Sequence, residues 1–195
     1  MKNCSFSVAM SVYYKDNAVF FDRALQSITE WQTVKPTEIV LVCDGPLNKQ
    51  LDAVIDKYRK QYPIFKILRL KNNRGLGNAL KLAVENTSNE IIARMDSDDI
   101  SVSDRFEQQL KFFSNHPEVD IVGGNIAEFI GDETNIVVKL SITLDTLTAR
   151  ILKLSSDSQS RIEPVPFYSW WDATDRRADS AVAPVAHEIS PDHRF

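Results

Sequence analysis

The sequence is poor in cysteine and glycine, contains no long apolar run and has no large excess of charge of one sign. Its 195 residues include two Cys and six Gly, and the formal net charge is −4. Two cysteines are too few for a disulfide framework or a zinc cluster, which favours a reducing compartment. No apolar run approaches the ~20 residues that span a bilayer. The mild acidity offers no sequence-independent attraction to nucleic acid.

What is present is a regular alternation of strand-like and helix-like apolar patterns, in a chain long enough for one globular domain. The predicted strands are 6–12, 39–43, 65–70, 91–95, 121–130 and 136–142. The predicted helices are 19–31, 51–58, 76–84, 106–113 and a short linker helix within 141–154. Ser101 and Asp104 are candidates for capping the fourth of these helices. The alternation predicts an α/β fold, an open and mostly parallel sheet with helices on both faces.

Residues 155–195 differ from the rest in composition and show no periodicity. Leu, Lys, Gly and Asn occur throughout the preceding chain and are absent from this segment. Three explanations stay open: a diverged and shortened region, a disordered tail, or replacement of the usual continuation, for example by a shifted reading frame. The abruptness of the change favours replacement. We therefore expect an irregular C-terminal tail over 155–195.

Polar and acidic side chains follow each of the first four predicted strands. They are Ser11 and Tyr13, then Asp44, then Arg74 and Gly75, and finally Asp96 and Asp98. Ligands bind at the carboxyl ends of parallel strands, so we expect these residues to converge on one rim of the sheet. Asp96 and Asp98, one residue apart, offer the hard oxygen ligands that suit Mg²⁺ or Mn²⁺. Two alternatives stay open: a solvated capping loop for the acid pair, and a turn or cap role for Asp44.

Several segments, in this order and spacing, resemble the motifs of family 2 glycosyltransferases. They are residues 8–15, 41–45, 72–79, 92–99, 105–106, 116–117 and 120–124. The resemblance covers about residues 5–139 and implies a GT-A fold. It makes residues 1–140 the expected nucleotide-diphospho-sugar-binding domain, followed by the linker helix and the atypical tail.

The resemblance also implies roles for the residues on the rim. Ser11 and Tyr13 would line the pocket for the base and ribose, and Asp44 would accept a hydrogen bond from the base. Arg74 and Gly75 would close over the nucleotide, with Asp96 near the ribose. Asp98 would coordinate the Mn²⁺ or Mg²⁺ that bridges the diphosphate. No motif identifies the catalytic base, which stays unknown.

The expected activity is inverting, metal-dependent transfer of a sugar, of the hexosyltransferase type, from a nucleotide diphosphate donor. The acceptor would be a saccharide or lipid-linked saccharide, as in polysaccharide biosynthesis. The alternative is a nucleotide-sugar-binding module with little or no transfer, because the acceptor-half motifs are not recognisable. A nucleotidyltransferase would need a glycine-rich basic loop after the first strand, and the loop of this chain has no glycine there. A phosphoacceptor receiver domain would need a pair of acids after that strand, where this chain has Ser11 and Tyr13. Both classes are therefore disfavoured. We expect a cytoplasmic protein, with attachment to the inner membrane face left open.

Overall fold

The computed structural model describes residues 5–117, 119–124 and 126–129, together with the backbone of 136–140, 151–153 and 185–188. The helices are α1 (Ala18–Thr29), α2 (Lys49–Gln61), α3 (Leu76–Glu85) and α4 (Arg105–Asn115). The strands are β1 (Phe6–Val12), β2 (Glu38–Cys43), β3 (Phe65–Arg69), β4 (Ile91–Met95), β5 (Asp99–Ser101), β6 (Ile121–Val122), β7 (Ile126–Phe129), β8 (Ile136–Leu140), β9 (Ile151–Lys153) and β10 (Val185–Glu188). Within these described ranges, no helix is both long enough and apolar enough to cross a bilayer.

The first four strands form the parallel sheet that the sequence predicts. The larger sheet has the order β3-β2-β1-β4-β9-β6, and β1 pairs in parallel with both β2 and β4. Antiparallel pairing begins only at β9, which lies between β4 and β6. A smaller sheet has the order β5-β10-β7-β8. The carboxyl ends of β1 to β4 therefore lie along one edge.

Helices cover both faces of the parallel sheet, as predicted. Every residue of β1 is buried, which is typical of a central parallel strand. Val8 and Met10 pack in the larger core with apolar side chains of α1, α2 and α4. Ala9 points to the other face and packs with Ala79 and Ala83 of α3. Each large apolar side chain buried in this way contributes roughly 1.5–3 kcal/mol.

Three sequence predictions need correction. The strand predicted over 121–130 is divided into β6 and β7, which belong to different sheets. Gly123 and Gly124 lie between them, and glycine weakens a strand interior. Residues 151–153 of the predicted linker helix form β9, because hydrogen bonding to β4 and β6 overrides the local helical spacing. Ser101 lies in β5 and does not cap α4, whose cap residue Asp104 makes no side-chain capping bond.

Other predictions at the C-terminal end fall largely on residues that the structure does not describe. Positions 130, 141–150 and 154 lie outside the described residues. The described residues of the predicted irregular tail, 185–188, form β10, which pairs with β5 and β7. Pairing over such a sequence distance leaves no local pattern in the sequence.

A polar cluster around Glu38 joins the amino-terminal ends of the strands, opposite the rim that carries the predicted site. The Glu38 carboxylate accepts hydrogen bonds from Ser7 Oγ and from the backbone N and Oγ of Ser88, the last two at 2.7 and 2.9 Å. Burial alone would raise the pKa of Glu38, but these hydrogen bonds and the nearby Lys66 outweigh it and hold the pKa below its usual value. The ionised carboxylate therefore stabilises this edge of the fold.

Candidate functional site

The Asp44 side chain, at the end of β2, holds the loop that precedes α3. Its Oδ1 accepts from the backbone N of Arg74 at 2.7 Å, and its Oδ2 accepts from the backbone N of Gly75 at 2.9 Å. Asp44 is only 3% exposed, while Arg74 and Gly75 lie at the surface. The structure thus brings these three predicted residues together. Asp44 acts here as the anchor of the loop rather than as the cap of α2, which is Asn48.

Gly45 allows this loop to approach the sheet edge closely. Its φ of +94° lies in the left-handed region that favours glycine. A Cβ at this position would lie 2.9 Å from the backbone N of Asn73. The Asp44–Gly45 pair therefore fixes the loop in two ways, through the carboxylate of one residue and the missing side chain of the next.

The loop after β1 is closed by Asp16, a residue that the sequence reasoning did not select. Asp16 Oδ2 accepts from Tyr13 N at 3.0 Å and from Ser97 Oγ at 2.8 Å. The second bond joins the first loop to the acidic segment after β4. Burial is the main reason that the pKa of Asp16 is raised, and the charge of Asp98 adds to the effect. An Asp three residues after Tyr13 was the feature of the sequence that could have indicated this contact, because Asp is favoured in turns where its side chain bonds to nearby backbone.

The two other predicted residues of the first strand lie at the same rim. Ser11 is 8% exposed and pairs in register with Val42 of β2. Tyr13 is 38% exposed, and its ring makes an edge contact with Tyr14 at a centroid distance of 5.8 Å. The rim thus presents a small hydroxyl and a half-exposed aromatic face. Such a pair can bind a flat, polar ring by stacking and hydrogen bonding.

Asp96 is paired with an arginine from the strand that precedes it. The Arg94 guanidinium donates from one nitrogen to both carboxylate oxygens, at 2.6 and 2.7 Å. Burial raises the pKa of Asp96 to about 6, against the opposing effect of Arg94 and with further contributions from Asp99 and Asp98. Ionising Asp96 is thus costly mainly because the carboxyl is buried, and the neighbouring acids add to that cost.

Asp98 is the exposed carboxylate of the acidic segment, and its charge repels those of Asp96 and Asp16. Mg²⁺ is usually held by one or two carboxylates together with substrate phosphates, and the exposed carboxylate of Asp98 can supply such a donor while Asp96 stays paired with Arg94. A divalent cation would also relieve the repulsion within the segment. The residues present therefore fit a divalent cation. Among the described residues, no three His, Cys, Asp or Glu side chains are grouped to hold a metal ion.

Arg105 belongs to one of the motif segments, but its role as a support beneath the acidic segment was not predicted from the sequence. Arg105 is fully buried and bonds to Ser101 and to the backbone of Arg94. A positive residue at the start of a helix gives no sign of such burial, because charged residues are usually exposed.

Comparison with known proteins agrees with this geometry. The sequence model of the family described as glycosyl transferase family 2 matches residues 7–174. The chain belongs to glycosyl transferase family 2. The resemblance predicted over about residues 5–139 is thereby confirmed, and the match extends to residue 174.

Two curated relatives show how much of a family 2 protein the chain represents. An uncharacterized glycosyltransferase of Haemophilus influenzae is 43% identical over 133 residues, which are 68% of this chain and 49% of the relative. The UDP-Gal:alpha-D-GlcNAc-diphosphoundecaprenol beta-1,3-galactosyltransferase of Escherichia coli is 39% identical over 124 residues, 64% of this chain and 44% of the relative. The chain thus spans about half the length of these relatives.

Solved structures confirm the predicted GT-A fold. Residues 1–349 of TarS from S. aureus, in complex with UDP, align with a TM-score of 0.57 at 21% identity. The alignment covers 76% of this chain and 46% of TarS 1–349. The mannosyltransferase PcManGT from Pyrobaculum calidifontis, in complex with GDP-Man and Mn²⁺, aligns with a TM-score of 0.54 at 20% identity, covering 61% of this chain and 34% of PcManGT.

Proposed function

We propose that this chain supplies the donor-binding part of a glycosyltransferase that moves a sugar from a nucleotide diphosphate to a saccharide or lipid-linked acceptor. The observation that carries the proposal is the rim of the parallel sheet. At this edge of the sheet lie both the loop of Arg74 and Gly75, which Asp44 anchors, and the acidic segment of Asp96 and Asp98. Membership of glycosyl transferase family 2 supplies the class of reaction.

The nucleoside would bind between the first loop and the Asp44 loop. Tyr13 offers a partly exposed ring for the base, and Ser11 a hydroxyl for the base or ribose. A carboxylate has about four acceptor sites, so Asp44 can accept from a base while it keeps the two backbone bonds. Arg74 extends from the loop that Asp44 anchors and would close over the nucleotide with Gly75. Asp96 would lie nearest the ribose.

The diphosphate would lie over the acidic segment, where Asp98 would hold Mn²⁺ or Mg²⁺. When bound, such a cation offsets the negative charge that develops on the diphosphate leaving group. We propose inversion at the anomeric carbon, with a protein base accepting the proton of the acceptor hydroxyl. No described residue is assigned that role. The Mn²⁺ in the PcManGT complex supports the choice of cation.

The relatives also support a proposal for the acceptor and for the location of the reaction. The name of the E. coli relative describes transfer from UDP-Gal to a diphosphoundecaprenol-linked sugar, which supports a lipid-linked acceptor here. Such an acceptor would bring the enzyme to the inner face of the membrane from the cytoplasm. Uridine and guanosine diphosphate sugars are both supported as donors, because TarS is complexed with UDP and PcManGT with GDP-Man.

The second candidate is a nucleotide-sugar-binding module with little or no transferase activity. The change of composition at residue 155 favours it, since that change falls where an acceptor region would follow. Measuring nucleotide affinity beside sugar transfer and donor hydrolysis separates the two functions. Tight binding with neither reaction would support the module.

A thermal-shift screen of nucleoside diphosphates, with and without Mn²⁺, tests the proposal. A ligand at a hundredfold excess over its Kd stabilises the fold by about 2.7 kcal/mol, which corresponds to a clear rise in Tm. We expect UDP or GDP to raise the Tm, and Mn²⁺ to increase that rise. If no nucleoside diphosphate stabilises the chain under either condition, the proposal is wrong.

A further inference from the structure

Arg105, the first residue of α4, is a charged side chain with no exposure to solvent. Burying an ionised group costs several kcal/mol unless hydrogen bonds and opposite charges compensate. Desolvation lowers the pKa of Arg105 to about 10, while the nearby Asp99 and Asp96 oppose that change. Arg105 therefore stays cationic near neutral pH, and its burial calls for a physical reason.

The guanidinium of Arg105 joins the two ends of the acidic segment. One terminal nitrogen donates to the carbonyl oxygen of Arg94 at 2.8 Å, before the segment. The other donates to Ser101 Oγ at 2.8 Å, after it. Nε donates to Gln109 Oε1 at 3.1 Å, which fixes the plane of the group. The chain between residues 94 and 101 is thus held at both ends by one side chain.

Buried polar bonds from α1 and the segment after it hold the same region from the other side. Ser27 Oγ accepts from the backbone N of Ser101 at 3.0 Å. Gln32 Nε2 donates to the carbonyl of Val102 at 2.7 Å, and its Oε1 accepts from the backbone N of Phe106 at 3.3 Å. Both Ser27 and Gln32 are buried. The position of Arg105 is therefore set by the core and not by solvent.

The charge of Arg105 also suits this place. It lies within electrostatic range of Asp96 and Asp99, so it offsets part of the repulsion in the acidic segment. Asp98, within the same segment, is exposed at the surface. A fixed positive charge near these carboxylates lowers the cost of holding them close together.

We propose that Arg105 is a positioning residue, which holds the segment from Asp96 to Asp99 in the shape that binds a divalent cation together with a nucleoside diphosphate. This inference rests on the proposed function. Arg105 would touch neither the cation nor the nucleotide. Its contribution would be to keep Asp98 in place, as outer groups do in metal sites, where their loss costs 10–100-fold in metal affinity.

The test is an Mn²⁺ titration of the whole chain with UDP, and separately with GDP, followed by the rise in Tm. Arg105→Lys keeps the charge, but a single ammonium cannot bond Arg94, Ser101 and Gln109 in one plane. We expect the Mn²⁺ concentration at half-effect to rise by roughly tenfold or more. Thr33→Ala is the matched control, because it removes an exposed hydrogen bond to Glu107 of α4 and leaves the bonds of Arg105 to Arg94, Ser101 and Gln109 in place. It should leave the half-effect concentration unchanged.

The outcomes separate this inference from the proposed function. If neither nucleotide stabilises the wild-type chain, with or without Mn²⁺, the proposed function fails, and the inference with it. If a nucleotide stabilises the wild type to the same extent with and without Mn²⁺, donor binding stands and the inference is overturned. If the wild type responds and a folded Arg105→Lys responds at the same Mn²⁺ concentration, only the inference is overturned, even where urea unfolding shows a loss of stability. If Arg105→Lys does not fold, Ser101→Ala, which removes one acceptor of Arg105, decides. A raised half-effect concentration supports the inference, and an unchanged one overturns it.

Discussion

Replacing Asp44 with Asn should loosen the loop that carries Arg74 and Gly75. The amide keeps the size of the carboxylate but presents one oxygen and one NH₂ group. Its oxygen can still accept from one backbone N–H, whereas its NH₂ must face the other, which is also a donor. Asp44→Asn therefore removes one hydrogen bond outright and takes the charge from the second.

The size of the effect follows from burial. A buried donor left without a partner costs about 1–3 kcal/mol, and the loss of charge from the remaining bond adds roughly 1 kcal/mol. The loop residues are exposed, and Gly75 N also donates to Asn73 Oδ1 at 3.1 Å, so the freed N–H can bond to water or to that second acceptor once the loop shifts. We therefore expect a loss of about 2 kcal/mol from the free energy of unfolding, out of a typical 5–15 kcal/mol.

Urea denaturation measures this loss, and amide hydrogen exchange at residues 74 and 75 locates it. Exchange at both amides should accelerate in Asp44→Asn. The matched control is Asp52→Asn, which removes an exposed ion pair with Arg69 and should cost under about 1 kcal/mol. If Asp44→Asn unfolds within about 0.5 kcal/mol of the wild type and its loop amides exchange at the wild-type rate, the anchoring role is refuted.

Two further predictions concern the backbone of the site and the opposite edge of the sheet. Gly45→Ala should destabilise the fold by about 1–3 kcal/mol, because of its positive φ and the contact with Asn73, and should weaken nucleotide binding. Gly77→Ala, with open space around its Cβ in α3, is the control and should be neutral or stabilising; equal losses in urea denaturation would contradict the reasoning. For Glu38, the lowered pKa means that the carboxylate stabilises the fold above its unfolded-state pKa and loses this effect as pH falls through the folded value. The stability difference between the wild type and Glu38→Gln should therefore be larger at pH 6 than at about pH 3.5, and a pH-independent difference would rule the explanation out.

The core of the fold was predictable because its determinants are local. The apolar run of β2 ends at Asp44, and helical spacing marks α1 to α4, so each element is visible within its own segment. The order of the parallel strands follows from general rules on how such strands connect. Residues 151–153 and 185–188 show the limit, since β9 and β10 form by pairing with distant strands. No pattern within three or four residues can report such pairing.

The site was predictable to the extent that side chains follow strand ends. Asp44, Arg74 and Gly75 were expected on one rim, and the structure joins them by hydrogen bonds. That the Asp44 carboxylate binds backbone amides could not be inferred, because it depends on how closely the next loop approaches. The roles of Asp16 and Arg105 were not predicted, for a similar reason. Their contacts, to Ser97 and to the two ends of the acidic segment, exist only once the chain has folded.

Asp98 is the residue proposed to bind the cation, and the metal dependence of nucleotide binding depends most directly on it. Calorimetric titration of the wild type and Asp98→Asn with the preferred nucleoside diphosphate, with and without Mn²⁺, measures this role. We predict that Mn²⁺ raises the affinity of the wild type for the nucleotide. In the presence of Mn²⁺, Asp98→Asn should bind the nucleotide at least about tenfold more weakly than the wild type, whereas without metal the two should bind alike. Asp56→Asn, at an exposed position of α2, should behave as the wild type. If Asp98→Asn binds the nucleotide as tightly as the wild type does, both with and without Mn²⁺, Asp98 does not bind the cation.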